Sequence, residues 1–432
     1  MSIVTHWYEG ITYYFVGLLL LQTLDKLGKG IVLREMVALF ASIVTLLMPV
    51  LGYLVFNEEN LLARSFFRYM RVPELTYFSF ALPAVAGFTL LLCWPVRGRD
   101  YSDEGEVIKK HLTSIRAFLE NHSRLGLLLV LIGVAVSSIL SFLPSSLFYF
   151  GTLFYFSSFA GILYVYFSPV MKFRKWILLG FTLFTIWYAL RSGVFTVVAY
   201  MSITISSFIF MGKRISLFKK LMIFFLGFFI LLIIQSVKQQ FRKLTWDENY
   251  QGNKSELFTD LVLDKLTADY QFFSKEAFFP IYYRANQGLN VSLVMKRIPA
   301  VQPFDGGVNL SRSLAASVVP RILWPDKPEA GGKFNMKFYT GINILGWSTN
   351  VGPLGEAYGS FGVTGGIIFM MVLGMFIRWA YKRVFIIARN IPLLICWLPV
   401  LFYQVTYSAE TDTLQILNSL VKSAVFIWML YK

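Results

Sequence analysis

The chain is 432 residues long, and only 15% of them are charged while 56% are hydrophobic and 17% aromatic, with a mean hydropathy of +0.60. A soluble domain carries about 25% charged residues, so this composition excludes an ordinary water-soluble enzyme and predicts an all-α polytopic membrane protein. The net charge of +16 does not call for nucleic acid, because half of the 40 basic residues lie in short loops between apolar stretches, where membrane topology accounts for them.

A bilayer core about 30 Å thick needs roughly 20 apolar residues per helix, since each backbone polar group in hydrocarbon must be paired within its own segment. In chain order, that measure predicts eleven spans, at 8–24, 36–56, 75–96, 125–143, 145–168, 176–190, 194–212, 221–237, 361–380, 390–407 and 412–431. The first lacks the basic flank and small-residue site of a cleaved leader and is read as a retained helix. The organisation is then spans 1–8 over residues 1–237, a large, partly helical loop over 238–360, and spans 9–11 over 361–432. One parity of short loops holds twenty Lys and Arg, while the other holds only Arg64, Arg68, Arg71 and Arg191. Basic loops stay in the cytoplasm, so the N-terminus and the 238–360 segment are expected outside and Lys432 inside.

The cytoplasmic loop 97–124 places Ile108, Leu112, Ile115, Phe118 and Leu119 at helical spacing, which predicts an interfacial helix. The phosphate-binding patterns GxxxxGK[ST] and GxGxxG are absent, which argues against an ATP-driven pump. Of the three histidines, His111 and His122 fall on the cytoplasmic side, so neither a Ser-His-Asp triad nor a histidine metal centre is expected outside. Cys93 and Cys396 lie within spans, and no disulfide or thiolate metal site is expected. Glu410 and Asp412 in the last outer turn have the pairing of a metal site, but acidic turns are common, and no metal or other cofactor is expected.

The 238–360 segment is where chemistry would reside, since long connections are uncommon unless they work. Three prolines, at 320, 325 and 328, stiffen the stretch that carries Arg321, Trp324, Asp326 and Lys327. A guanidinium and an ammonium held on a rigid backbone suit a phosphate or diphosphate; the plainer alternative is a rigid loop that meets lipid headgroups. Glycines at 352, 355, 359 and 362 surround Glu356 and Tyr358. They would let a backbone approach a ligand, with Glu356 placed to take a proton from an acceptor hydroxyl; equally, they are helix-packing positions and Glu356 a partner of the helix start. Arg191, at the junction of the sixth and seventh spans, joins Arg284 and Arg312 in the cationic set, and Tyr283 and Trp324 offer aromatic faces to sugars or to an interfacial belt.

Together, the late outer loop, Arg191-Ser192, the run from Pro320 to Pro328 and the run from Gly352 to Gly362 resemble the O-antigen polymerase family, the Wzy-type oligosaccharide repeat-unit polymerases of bacterial inner membranes. The resemblance covers nearly the whole chain in architecture and about 40 residues in motifs, and the layout is similar to that of GT-C-like membrane glycosyltransferases. It implies a glycosyltransferase that joins undecaprenyl-diphosphate-linked oligosaccharide units outside the membrane, without a nucleotide sugar. On that reading Arg191, Arg284, Arg312, Arg321 and Lys327 hold the diphosphates. Glu356, Asp326 and Arg321 form the catalytic set, with Tyr283, Trp324 and Tyr358 against the sugars. The implied partners are the lipid-linked oligosaccharide, membrane lipids and a chain-length regulator protein. The related ligases typically use an outer-loop histidine, which this loop lacks. A flippase or transporter of the same lipids is the other class, with Lys422, Gln235 and Lys238 as its intramembrane candidates.

Overall fold

The computed structural model describes residues 7–95, 104–192, 195–213, 215–247, 250–267, 274–319, 323–328, 331–344 and 349–432. Among these residues every regular element is a helix and no strand occurs. The chain opens on α1 (Trp7–Lys26), which lies against α2 (Leu33–Leu54), and α2 packs in turn on α3 (Glu74–Cys93). Next come α4 (Glu104–Asn121) and α5 (Arg124–Ile139), whose axes meet at 86°, and then α6 (Ser145–Phe167), which lies along α5. Three further helices follow: α7 (Arg174–Ser192), α8 (Phe195–Phe210) and α9 (Leu217–Arg242).

A helix falls where the 108–119 spacing predicts one. On α4, Ile108, Leu112, Ile115 and Leu119 are buried, while Phe118 is exposed and stacks on His122. The expected large loop is in fact a chain of helices, α10 (Lys254–Thr267), α11 (Lys275–Ala285), α12 (Gly288–Arg297) and α13 (Val308–Val318). Its expected limits also fall inside helices, residue 238 in α9 and residue 360 in α14 (Gly352–Ile387). A broken stretch, Pro392–Trp397, Leu398–Leu401 and Tyr403–Thr406, leads to α15 (Thr413–Leu430).

By length and composition α2, α3, α6, α14 and α15 can each cross a membrane, and the bent pair α4–α5 makes a sixth crossing if it is one span. The protein is therefore an all-helical membrane protein with five or six apolar spans among the described residues. The other five expected spans fall on α1, α7, α8, α9 and the broken 392–406 stretch, which do not reach the same standard among the described residues.

Two breaks position the segment from α10 to α13. Pro49 in α2 has no N–H to return to Thr45, and the helix widens into one π turn over Ile43–Leu47. The released carbonyls find partners elsewhere: Thr45 O accepts from the Tyr77 hydroxyl at 2.7 Å and Val44 O from the Gln287 N–H at 3.0 Å. The α11–α12 corner is thereby bonded to the middle of a span rather than resting on top of it. The second break is Gly362 in α14, at φ 67° and ψ −157°, a region open essentially to glycine alone. Just before it, Ser360 O accepts from Gly306 N at 3.0 Å and Gly359 O from Asp305 N at 3.4 Å. The residues beyond Gly362 run along α3, where Gly374 comes so close that a Cβ would stand 2.5 Å from Phe88 O.

Candidate functional site

The segment from α10 to the start of α14 closes around Glu356, which is 1% exposed. Asn335 donates its side-chain amide to Oε1 at 2.5 Å, and Thr413 donates to Oε2 from its backbone N–H at 2.9 Å and also from its hydroxyl. Asn309 extends the network by donating to Asn335 Oδ1 at 3.3 Å and to the Tyr339 hydroxyl at 3.2 Å, and that hydroxyl shares a hydrogen bond with Ser360 at 3.1 Å. The second carboxylate, Asp412, caps α15 through the Gln415 N–H at 2.5 Å. It also accepts from Gly331 N at 2.8 Å and from Asn350 Nδ2 at 2.9 Å. Asn290 on α12 completes the ring, donating to Asn350 O at 2.7 Å and to the Thr349 hydroxyl at 2.8 Å.

A buried carboxylate is costly unless its oxygens are hydrogen-bonded or paired with a cation. Here neutral donors do that work, and among the described residues neither Glu356 nor Asp412 pairs with a Lys or Arg. Burial pushes the Asp412 carboxyl above the usual carboxylate range. The expectation of an accessible Glu356 above the membrane is thus corrected. Its oxygens face Asn335 and Thr413, and the side chain ties α14 to α15 and to the Gly332–Asn335 helix. Tyr358 is also corrected: it is buried, edge-on to Phe80 at 5.1 Å and to Phe304 at 5.9 Å, so its ring is core rather than a sugar platform.

The other expected residues form two separate groups. Midway along α13, the exposed Arg312 holds its guanidinium 5.9 Å from the Trp324 ring centroid, and Asp326 is exposed two residues after Trp324. Lys327 donates to Ala316 O and Val319 O, both at 2.8 Å, and so closes the C-terminus of α13. On α11, Arg284 lies 3.8 Å from Glu410, and Tyr283 lies under the Arg68 guanidinium at 5.4 Å. Arg321 lies outside the described residues, and so does the side chain of Arg191, whose backbone ends α7. Of the intramembrane candidates, Lys422 stands 4.4 Å from the Tyr149 ring centroid, and the side chains of Gln235 and Lys238 are outside the described set. Among the described residues no group of three or more His, Cys, Asp or Glu could hold a metal ion.

A family model described as a domain of unknown function, DUF8712, matches residues 107–407. The chain belongs to this family. The DUF8712 match takes in Glu356, Asn335 and the Arg312–Trp324 corner, and it ends before Asp412 and Thr413. No curated protein and no solved structure matches the chain.

Sequence reasoning passed over Asn290, Asn309, Asn335, Asn350 and Thr413 and set Asp412 aside as an ordinary acidic turn. The available signal was the density of Asn between Asn286 and Asn350 in a chain otherwise poor in polar residues. A buried Asn needs partners, and these find them in one another and in the two carboxylates.

Proposed function

We propose that this protein is a bacterial inner-membrane polysaccharide polymerase, which joins lipid-diphosphate-linked oligosaccharide repeat units by glycosyl transfer on the periplasmic face. On this reading the eleven predicted stretches all cross the membrane, and the segment built from α10 to α13 stands outside. The observation that carries the reading is the corner where the exposed Arg312 of α13 stands 5.9 Å from the Trp324 ring centroid, with the exposed Asp326 two residues beyond Trp324 and Lys327 fastening that turn to the helix. A diphosphate leaves readily once its charge is neutralised, and a guanidinium beside an aromatic face suits a phosphate joined to a sugar. Arg321, Arg284 and Arg191 add to the cationic set. The acceptor hydroxyl then gives its proton to the exposed Asp326, while the buried Glu356 holds the scaffold that carries the corner. Purified protein mixed with lipid-linked repeat units in detergent should lengthen the glycan, and Arg312→Ala should abolish the lengthening at normal protein levels. Absence of lengthening by the wild-type protein would remove the reading.

One observation favours a transporter of the same lipids. The break at Gly362 and the broken 392–406 stretch frame the buried Glu356–Asp412 pair, and discontinuous helices around buried carboxylates are a feature of secondary transporters. The detergent experiment separates the classes, because transport needs a sealed membrane and lengthening does not.

A further inference from the structure

The last helix, α15, has a polar side that the polymerase reading leaves unused. Gln415, Asn418, Ser419, Lys422 and Ser423 follow one another at the three- and four-residue steps that share a helix face, so a polar stripe runs down a helix whose other residues beyond the first turn are apolar. The stripe begins beside Asp412, where the Thr411 hydroxyl donates to Gln415 Oε1 at 2.6 Å. Lys422 lies nine residues after Thr413 and eight before Leu430, which at ~1.5 Å per residue puts it near the middle of the helix. Lysines that reach water by stretching along a span stand near its ends, and this one does not.

Tyrosines stand opposite this stripe. Tyr149 of α6 has its ring centroid 4.4 Å from Lys422 Nζ, and its hydroxyl is turned toward Ser419 and Ser423. The Tyr403–Thr406 turn packs against α15, with the Tyr403 and Tyr407 ring centroids 5.2 Å apart, and the Tyr155 hydroxyl faces Tyr403. Gln415, Asn418 and Lys422 are each half-buried, and so are Tyr149, Tyr403 and Tyr407; that is the pattern of cleft walls, since a packed seam between helices buries its side chains. Three enclosed polar atoms on these elements have no hydrogen-bond partner among the described residues: Asn418 Oδ1, Gln404 Oε1 and the Tyr155 hydroxyl, the last two on side chains 8% and 2% exposed. Left dry, each would cost about 1–3 kcal/mol, and a water or a polar ligand removes that cost.

We propose that α15, α6 and the 403–407 turn enclose a water-filled cleft that enters the membrane from the Asp412 end and holds small hydrated anions at Lys422. Tyrosine hydroxyls and side-chain amides both donate and accept, which suits water and the oxygens of an anion alike. The ammonium sets the sign of the cleft, because the carboxylates at its mouth are already engaged: Asp412 accepts from Gln415 N, Gly331 N and Asn350 Nδ2, and Glu410 lies 3.8 Å from Arg284. A lysine at mid-span is costly in hydrocarbon and inexpensive beside water. The cleft does not depend on glycan lengthening and stands whether or not the chain performs it.

The test is the rate at which water-soluble methanethiosulfonates, one bearing a sulfonate and one a trimethylammonium group, label single cysteines on α15 in the full chain in phosphatidylcholine nanodiscs. The native Cys93 and Cys396 stay in place, and peptide mass spectrometry assigns each label to its site. Asn418→Cys should react at least tenfold faster than Val425→Cys, although Val425 is the more exposed side chain at 48%, because water reaches the first and lipid covers the second. Lys422→Cys, which removes a charge from the span, should also outpace Val425→Cys and gives the same comparison if Asn418→Cys does not fold. At Asn418→Cys the sulfonate should react severalfold faster than the trimethylammonium reagent, and adding Lys422→Met should abolish that preference. Rates at Asn418→Cys and Lys422→Cys no greater than at Val425→Cys overturn the cleft. Labelling with no charge preference, or with a preference that survives Lys422→Met, overturns the anion site.

Discussion

Thr413 places both its backbone N–H, at 2.9 Å, and its hydroxyl on one oxygen of Glu356, a residue 57 positions earlier in the chain. That contact joins the first turn of α15 to the first turns of α14, and Asn335 holds the other oxygen. Replacing Glu356 by Ala would leave buried donors on Asn335 and Thr413 without an acceptor, at about 1–3 kcal/mol for each group. Glu356→Ala should therefore lower the melting temperature in detergent markedly, and Glu356→Gln less, since an amide oxygen still accepts. A Glu356→Ala variant that melts with the wild type would show that the carboxylate is not structural.

Asp412 gives a pH dependence with a defined sign. Burial holds its folded-state carboxyl above the ordinary range, so the folded protein binds this proton more tightly than the unfolded chain does. Its stabilising contribution is complete below the ordinary carboxylate range and is lost as the pH rises through the raised value. Asp412→Asn should flatten the stability profile across that window. Melting curves over a pH series would check this, and an unchanged profile would assign the dependence to another group.

Gly362 stands at φ 67° and ψ −157°, and a Cβ there would lie 3.2 Å from the Phe304 ring. Gly362→Ala should cost about 1–3 kcal/mol from backbone strain, with the loss concentrated around residues 303–319. Hydrogen exchange of residues 303–319 would detect it, because Asp305 and Gly306 bond to the carbonyls next to the kink.

Lys327 and Arg312 should separate by readout. Lys327→Met removes the donor that closes α13 at Ala316 O and Val319 O, so it should lower stability by about 1–3 kcal/mol. The exposed Arg312 should change stability by no more than about 0.5 kcal/mol when replaced by Ala, yet abolish glycan lengthening. Equal effects of the two substitutions on both readouts would refute this division of roles.

What the sequence disclosed follows from the range of the forces involved. Hydropathy and the 108–119 spacing are local signals, and they placed the apolar helices and the buried face of α4. The 238–360 segment is legible as a long, partly helical connection but not as helices bonded into the bundle. That insertion depends on Pro49 releasing carbonyls that Gln287 and Tyr77 fill from far along the chain. Glu356 stood out by its glycine surroundings, but its partners Asn335 and Thr413 lie 21 and 57 residues away, and no periodicity connects such positions. Tyr358 is placed against the sugars by the resemblance alone, and the motif does not reveal that Phe80 and Phe304 cover its ring.

Polymerase activity would show as glycan length in a detergent solution containing only the purified chain and lipid-diphosphate-linked repeat units. The wild-type protein should give a ladder of products, and Arg312→Ala and Arg321→Ala only single repeats at equal protein levels. Single repeats from the wild-type protein, or an undiminished ladder from both variants, would contradict the polymerase reading.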